Sequence, residues 1–508
     1  MSAARTHLSS TTVFHGALVN PLDLHSYQAL PHALLCVDPY GDIAWIEPHV
    51  PDALVQDVMA RKGLVGDDVQ VVQLKKGEFL MPGFIDTHTH APQVPNMGAG
   101  QQYELLDWLE NVTFPMESRF SDVDFARHTY KTVVRRVIDS GTTTCCYYGT
   151  LHVEATKVLA DIIHEYGQRA FVGKCNMDRN SPDNYVEPSA EASVQGTKEL
   201  LEHIRGLPPL TSPRPAHDTD RSQLVHPILT PRFAISCTSP LLTSLGQIAA
   251  SDRSLRIQTH ISENLSEIAF TKSLFPECSS YADVYDKHGL LRHNTVLAHA
   301  VHLEDEEIAL LKERGCGISH CPTSNFNLRS GICKVGELLD RGIKVGLGTD
   351  VSGGFSPSIL AAIQHASIAS KVVSFQHQPG HAIAVPHHLF VNHSPLANKQ
   401  LPIPALLHLA TLGGAQVCDL QARVGSFAPG KAFDALLVSV SSAAGNPAVW
   451  GVEVDEALGI ERGMGMSKEQ HLERMLEAFM FCGDDRNISR VYVQGRVIGG
   501  KEWAASQP

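Results

Sequence analysis

The sequence predicts an α/β protein, a (β/α)8 TIM barrel carrying a small β-sandwich domain built from both chain termini. Two observations carry this reading. Between residues 83 and 350 of the 508-residue chain, short apolar runs alternate eight times with amphipathic helical stretches. The two ends of the chain instead read as short strands joined by turns. The predicted division is 1–81 and 423–508 for the β-domain and 82–422 for the barrel.

The elements follow in order. "TVFHGALVN", "ALLCVDPYGDIAWIEP" and "VQVVQL" are the first strands, and "DPYGD" is a turn signal. Barrel strands are expected at 83–88, 143–148, 170–175, 227–230, 255–260, 295–299, 317–320 and 343–349. Ser121 is placed to N-cap a helix that ends at Gly141, and Gly167 and Gly315 stand just past two other helices. A doubly wound open sheet would usually carry a glycine-rich first turn. Gly98-Ala99-Gly100 lacks the third glycine, because position 103 is tyrosine. After the barrel, "FDALLVSV" and "RVYVQGRVIGG" are β-rich, with "QGR" as a hairpin turn. Two stretches read as inserted surface loops: the proline-rich "RGLPPLTSPRPAHDTDRSQLVHP" and "SFQHQPGHAIAVPHHLFVNHSPLANKQLPIP". The five histidines of the second are irregularly spaced and have no anchoring strand, which argues against a metal role.

Composition narrows the function. A 43% hydrophobic and 19% charged chain has enough apolar surface for a large core. The net charge of −13 argues against nucleic-acid binding and against docking on an anionic membrane. The N-terminus shows no apolar signal region, and no run of apolar residues is long enough to cross a bilayer. The 11 cysteines include no CxxC pair and read as reduced thiols of a cytoplasmic protein.

The chemistry sits at the predicted strand ends. His88 and His90 close the first strand in "FIDTHTH"; His260 ends the fifth, His299 the sixth and Asp350 the eighth. In a (β/α)8 barrel these ends meet at one mouth. Residues two apart on an extended chain point the same way, so both imidazoles of "HTH" face together. A third histidine and an aspartate would close a mononuclear N3O site suited to Zn²⁺ or Fe²⁺ with room for a water. Singly, each histidine reads better as structural; their joint placement does not. Asp86 faces the same way but deeper, where it is expected to support the site. Glu263, just beyond the fifth strand in "THISEN", can shuttle a proton. Arg232 in "TPRFA" offers a fork of donors, Phe233 a stacking face and Gln93 an amide, although each alone is common on any surface. Other templates fail. His152-Val153-Glu154 and His302-Leu303-Glu304 match H-x-E, but no PCxxC follows. No HExxH occurs, and "CGISHCP", with Cys316, His320 and Cys321, reads as the seventh strand.

"PGFIDTHTHAPQ", "THISEN", "LAHAVHL" and "GLGTDVSGG" resemble the strand signatures of the amidohydrolase superfamily. "HAPQ", "TPRF", "TFPMESRF", "SHCPTSN" and "GDDRNISRVYVQG" narrow the likeness to its guanine deaminase family, over residues of about 70 to 500. The resemblance implies a cytoplasmic homodimer with one Zn²⁺ per subunit, converting guanine and water to xanthine and ammonia. It implies that His88, His90, His260 and Asp350 bind the metal, and that His299 contacts the metal or its water. Glu263 would be the proton shuttle, so Glu263, His299 and Asp350 form the catalytic group. Gln93, Arg232 and Phe233 would hold the purine, with His90, His260, Glu263 and Asp350 also facing it. Two departures stand out: Val94 replaces a usual aromatic, and the stretch 372–401 is longer than expected. The alternatives are an amidohydrolase acting on another amino-heterocycle (8-oxoguanine, a triazine or a pterin) and a catalytically inactive scaffold. The scaffold would be expected to have lost metal ligands.

Overall fold

The computed structural model describes residues 10–64, 69–210, 223–376, 395–450 and 466–506. Most of the histidine-rich stretch, and the middle of the proline-rich one, lie outside the described residues.

The first strands are β1 (Thr11–Pro21), β2 (Tyr27–Val37), β3 (Ile43–Glu47), β4 (Val69–Gln73) and β5 (Glu78–Pro82). The barrel strands are β6 (Phe84–His90), β7 (Thr142–Tyr148), β8 (Arg169–Gly173) with the short β9 (Cys175–Asn176), β10 (Val225–Pro231), β11 (Arg256–Ile261), β12 (Thr295–His299), β13 (Gly317–His320) and β14 (Lys344–Leu347). The chain returns in β15 (Ala435–Ser439), β16 (Ile488–Val493) and β17 (Arg496–Gly499). Eight of these strands form one sheet in the order β17-β16-β15-β5-β1-β2-β3, with β4 on the edge of β1. The two ends of the chain therefore share a domain because β15 pairs antiparallel with β5. Gln494 and Gly495 turn β16 into β17 with φ of 49° and 74°, which is the hairpin read from "QGR". Phe14 stacks on Phe433 in the core of this domain, and Tyr492 meets Phe14 edge-on.

The barrel strands run parallel in the order β6-β7-β8-β10-β11-β12-β13-β14, with helices outside. β6, β7, β8 and β12 are buried along their whole length, as expected of strands covered on both faces. The seam between the last and first strands closes beyond β14, where Asp350 N–H donates to His88 O at 2.8 Å and His90 N–H to Val351 O at 3.2 Å. Asp86 bolts the same seam. Its Oδ1 accepts from the His88 and Thr349 amides, and its Oδ2 from the Thr349 hydroxyl at 2.6 Å. At the opposite end, a buried bidentate pair from Arg169 to Asp434 (2.8 and 3.1 Å) fastens the barrel to the terminal sheet.

One expected helix start moves by a residue. Ser121 ends a short 3₁₀ turn, and it is Asp122 whose carboxylate accepts from the Asp124 and Phe125 amides to cap the helix Val123–Asp139. Asp122 holds the extended backbone (φ −84°, ψ 110°) that an N-cap requires. Gly167 and Gly315 stop their helices in the left-handed conformation, with φ of 77° and 71°. "CGISHCP" is a barrel strand, β13. All eleven cysteines are free, and nine of them are buried.

Strand packing leaves no room at Gly173: an added Cβ would fall inside the Thr230 hydroxyl and against the Ile228 carbonyl. Gly173→Ala is expected to cost about 1–3 kcal/mol through overpacking between β8 and β10. Urea denaturation followed by circular dichroism checks this; an unchanged midpoint would show that the strands can separate freely.

Candidate active site

His88 and His90 leave β6 on one side, and their rings meet edge to face at 4.9 Å. His260 is the last residue but one of β11, His299 ends β12, and Asp350 follows β14. Ser262, His299, Ala300 and Asp350 all take positive φ, between 45° and 73°. Such backbone costs on the order of 1–3 kcal/mol per residue and is held only where the surroundings impose it. Here it turns the chain sharply off the strand ends, so that Glu263 and Asp350 point back over the barrel. The amides of Ala300, Val301 and His302 donate to Ile261 O and Ser262 O and lock the two turns together.

The five donors converge. One ligand atom each from His88, His260, His299 and Asp350 lie within 4.8 Å of one another. His90 Nε2 stands 3.2 Å from His260 Nε2 and 3.4 Å from Asp350 Oδ1. His88 Nε2 lies 3.1 Å from the same oxygen, without the alignment of a hydrogen bond. Two tautomers are set from behind. His260 Nδ1–H donates to Arg232 O at 2.5 Å, and His299 Nδ1 meets Asn325 Oδ1 at 2.9 Å. In the neutral rings the inward Nε2 atoms of both are therefore the ones that carry a lone pair. Buried lone pairs gathered around a carboxylate are satisfied by a cation, so this donor set fits a divalent metal.

Electrostatics separate the two carboxylates. Burial raises Glu263 to about 7, against the pull of His299. Burial also opposes ionisation of Asp350, but His88, His299 and His90 outweigh it and hold Asp350 well below the carboxylate range. Burial drives His88, His90 and His260 towards the neutral form. His299 moves the other way: burial works against its charge, but Glu263 (3.4 Å) and Asp350 (3.7 Å) prevail. The Ser330 hydroxyl donates to Glu263 Oε1, and Glu267 accepts the Glu263 amide.

A small cavity opens over this cluster. Every sequence-predicted site residue except His88 lines it: His90, Gln93, Arg232, Phe233, His260, Glu263, His299 and Asp350. His88 lies beneath. Several contributors escape sequence reasoning. Leu105, Trp108, Leu109 and Leu328 supply the apolar wall. Glu117, fully buried, grips Arg232 at 2.7 and 3.1 Å. The weak signals for these were a tryptophan amid leucines in "LLDWLENV" and a lone glutamate in "TFPMESRF". Asp86 holds the backbone of the site and does not line the cavity, as expected.

Fold and donor set together define a barrel hydrolase of the metal-dependent kind. The amidohydrolase family model matches residues 79–498, and the chain belongs to that family. Within it, the chain is 44% identical to a probable guanine deaminase of Schizosaccharomyces pombe, over 92% of this chain and 80% of that protein. It is 40% identical to the guanine deaminase of Dictyostelium discoideum, over 96% and 98%. A solved guanine deaminase from C. acetobutylicum with guanine in its active site superposes with a TM-score of 0.77 at 33% identity, covering 96% of this chain and all of that one.

His260→Ala removes an inward donor without touching the seam. Bound metal, measured by mass spectrometry after exhaustive dialysis, is expected to fall at least about tenfold, as for loss of a ligand contact. Full metal retention would place the ion's ligands elsewhere.

Proposed function

We propose that this chain is a zinc-dependent hydrolase that deaminates guanine to xanthine and ammonia. The observation that carries the reading is a cavity that joins His90, His260, His299 and Asp350, with His88 beside them in the donor cluster, to a wall of guanidinium, amide and ring from Arg232, Gln93 and Phe233. His88, His90, His260 and Asp350 would hold one zinc ion per subunit, with His299 at its open side. When bound, that ion supplies Lewis-acid activation of a water molecule.

The protein's own groups do the rest. Arg232 and Gln93 donate to the purine's oxo edge, and Phe233 and Trp108 flank the ring. Adenine has no oxo group there and would leave these buried donors unpaired, so it is rejected. Asp350, held ionised, takes the proton released as water adds to C2. Glu263 titrates near neutrality, so it can give a proton to the ring nitrogen beside C2, relay the proton of the added hydroxyl to the departing amine, and then be reprotonated by the proton Asp350 took. Addition of water and loss of ammonia leave xanthine. The Ser330 hydrogen bond keeps Glu263 over the reacting carbon. Eleven unpaired cysteines suit the reducing cytoplasm. A homodimer is part of the same reading, and light scattering tests it.

Zinc-loaded protein should release ammonia from guanine and lose the activity on chelation; absence of ammonia sinks the proposal. Glu263→Gln should lower kcat by about 10²–10⁴-fold with zinc retained, and a smaller loss would assign the shuttle to another group. Arg232→Ala should reduce kcat/KM for guanine by at least about 10²-fold while metal content holds. Equal turnover would remove Arg232 from substrate recognition.

A further inference from the structure

Glu117 sits behind the cavity wall and is fully buried. Its carboxylate accepts four hydrogen bonds. Arg232 supplies two, at 2.7 and 3.1 Å, Gln93 Nε2 one at 2.7 Å, and the Tyr185 hydroxyl one at 2.6 Å. A carboxylate only accepts, so the Gln93 atom facing it must be the amide nitrogen. The other end agrees, because Ser352 N–H donates to Gln93 Oε1 at 3.1 Å. The amide is thus held in one orientation from both sides. The Phe114 ring lies 5.3 Å from the Arg232 guanidinium and completes the clamp.

The charge balance matters more than the geometry. Without Glu117, Arg232 would be a buried cation with no carboxylate partner, on the side of the cavity that Leu105, Trp108 and Leu109 also line. With it, the Arg232–Glu117 pair carries no net charge, yet still offers the N–H groups that Glu117 leaves over; the other ionisable groups Glu263, His299 and Asp350 gather on the donor side of the cavity. We propose that Glu117 is a positioning residue that makes the cavity selective for an uncharged purine and against its anion. This rests on the guanine reading above and sharpens it. Guanine is neutral near pH 7, whereas xanthine is a stronger acid and loses a ring proton more readily. An anion entering beside Leu105, Trp108 and Leu109 sheds its hydration and meets a guanidinium whose charge is already spent. Ionised product is therefore released, not retained.

The test measures binding of xanthine and hypoxanthine to zinc-loaded protein by calorimetry, below and above the first ionisation of xanthine. Hypoxanthine, a weaker acid, stays neutral and reports any effect of pH on the protein itself. In the native protein the xanthine-to-hypoxanthine Kd ratio should rise with pH. In Glu117→Gln it should fall with pH, with the xanthine anion favoured by at least about tenfold relative to the native ratio. Glu117→Asp, which keeps the charge, should behave as the native protein does. A merely structural role would weaken both ligands together and leave the ratio unmoved, and that outcome overturns the inference. If Glu117→Gln does not fold, the native ratio decides alone: a ratio that falls with pH, or binding of neither ligand, overturns it. Failure of the guanine reading shows separately, as absence of ammonia release from the native protein.

Discussion

The site depends on how the barrel closes. The first strand brings two histidines and the last brings an aspartate, and they meet only because β6 and the chain beyond β14 share a hydrogen-bonded seam. Asp86 spends its carboxylate on that seam, accepting from the His88 amide and from both the amide and hydroxyl of Thr349. Thr87 extends it to Leu347 O and Ser319. The positive φ at Asp350 is tolerated because its neighbours are pinned on both sides. A looser seam would separate His88 from Asp350 and dissolve the donor set.

The second theme is the division of labour between buried carboxylates. Asp350 is surrounded by imidazoles and stays ionised. Glu263 feels mostly its burial and titrates near neutrality. Glu117 meets a guanidinium and serves as a fixed counter-charge. Glu267 is tied up by the Glu263 and Asn264 amides and the Tyr281 hydroxyl, and caps the helix Leu265–Leu274. The same functional group thus has four roles, set by what each one faces.

The alternation of eight apolar runs with helical stretches was enough to read the barrel, because parallel strands buried on both faces have no competing pattern of comparable length. His88, His90, His260, His299, Glu263 and Asp350 were legible for the same reason: strand ends can be located, and a barrel sends all C-terminal ends to one mouth. The one-residue shift from Ser121 to Asp122 shows the grain of such reading, since either residue can cap and only the backbone angle chooses. Glu117, Trp108, Ser330 and Asn325 were not legible. They lie on loops and short helices whose path no periodicity encodes.

The sequence by itself determined the fold class, the strand ends and the kinds of atom gathered there, because these follow from apolar periodicity and from the topology of a closed parallel sheet. Only the tertiary structure decided how those atoms are paired: which histidine nitrogens face inward, which carboxylate titrates, and that Arg232 reaches the cavity with its charge cancelled by a glutamate 115 positions away. Those outcomes depend on distances of a few ångströms between residues remote in the chain, and local sequence preferences do not specify them.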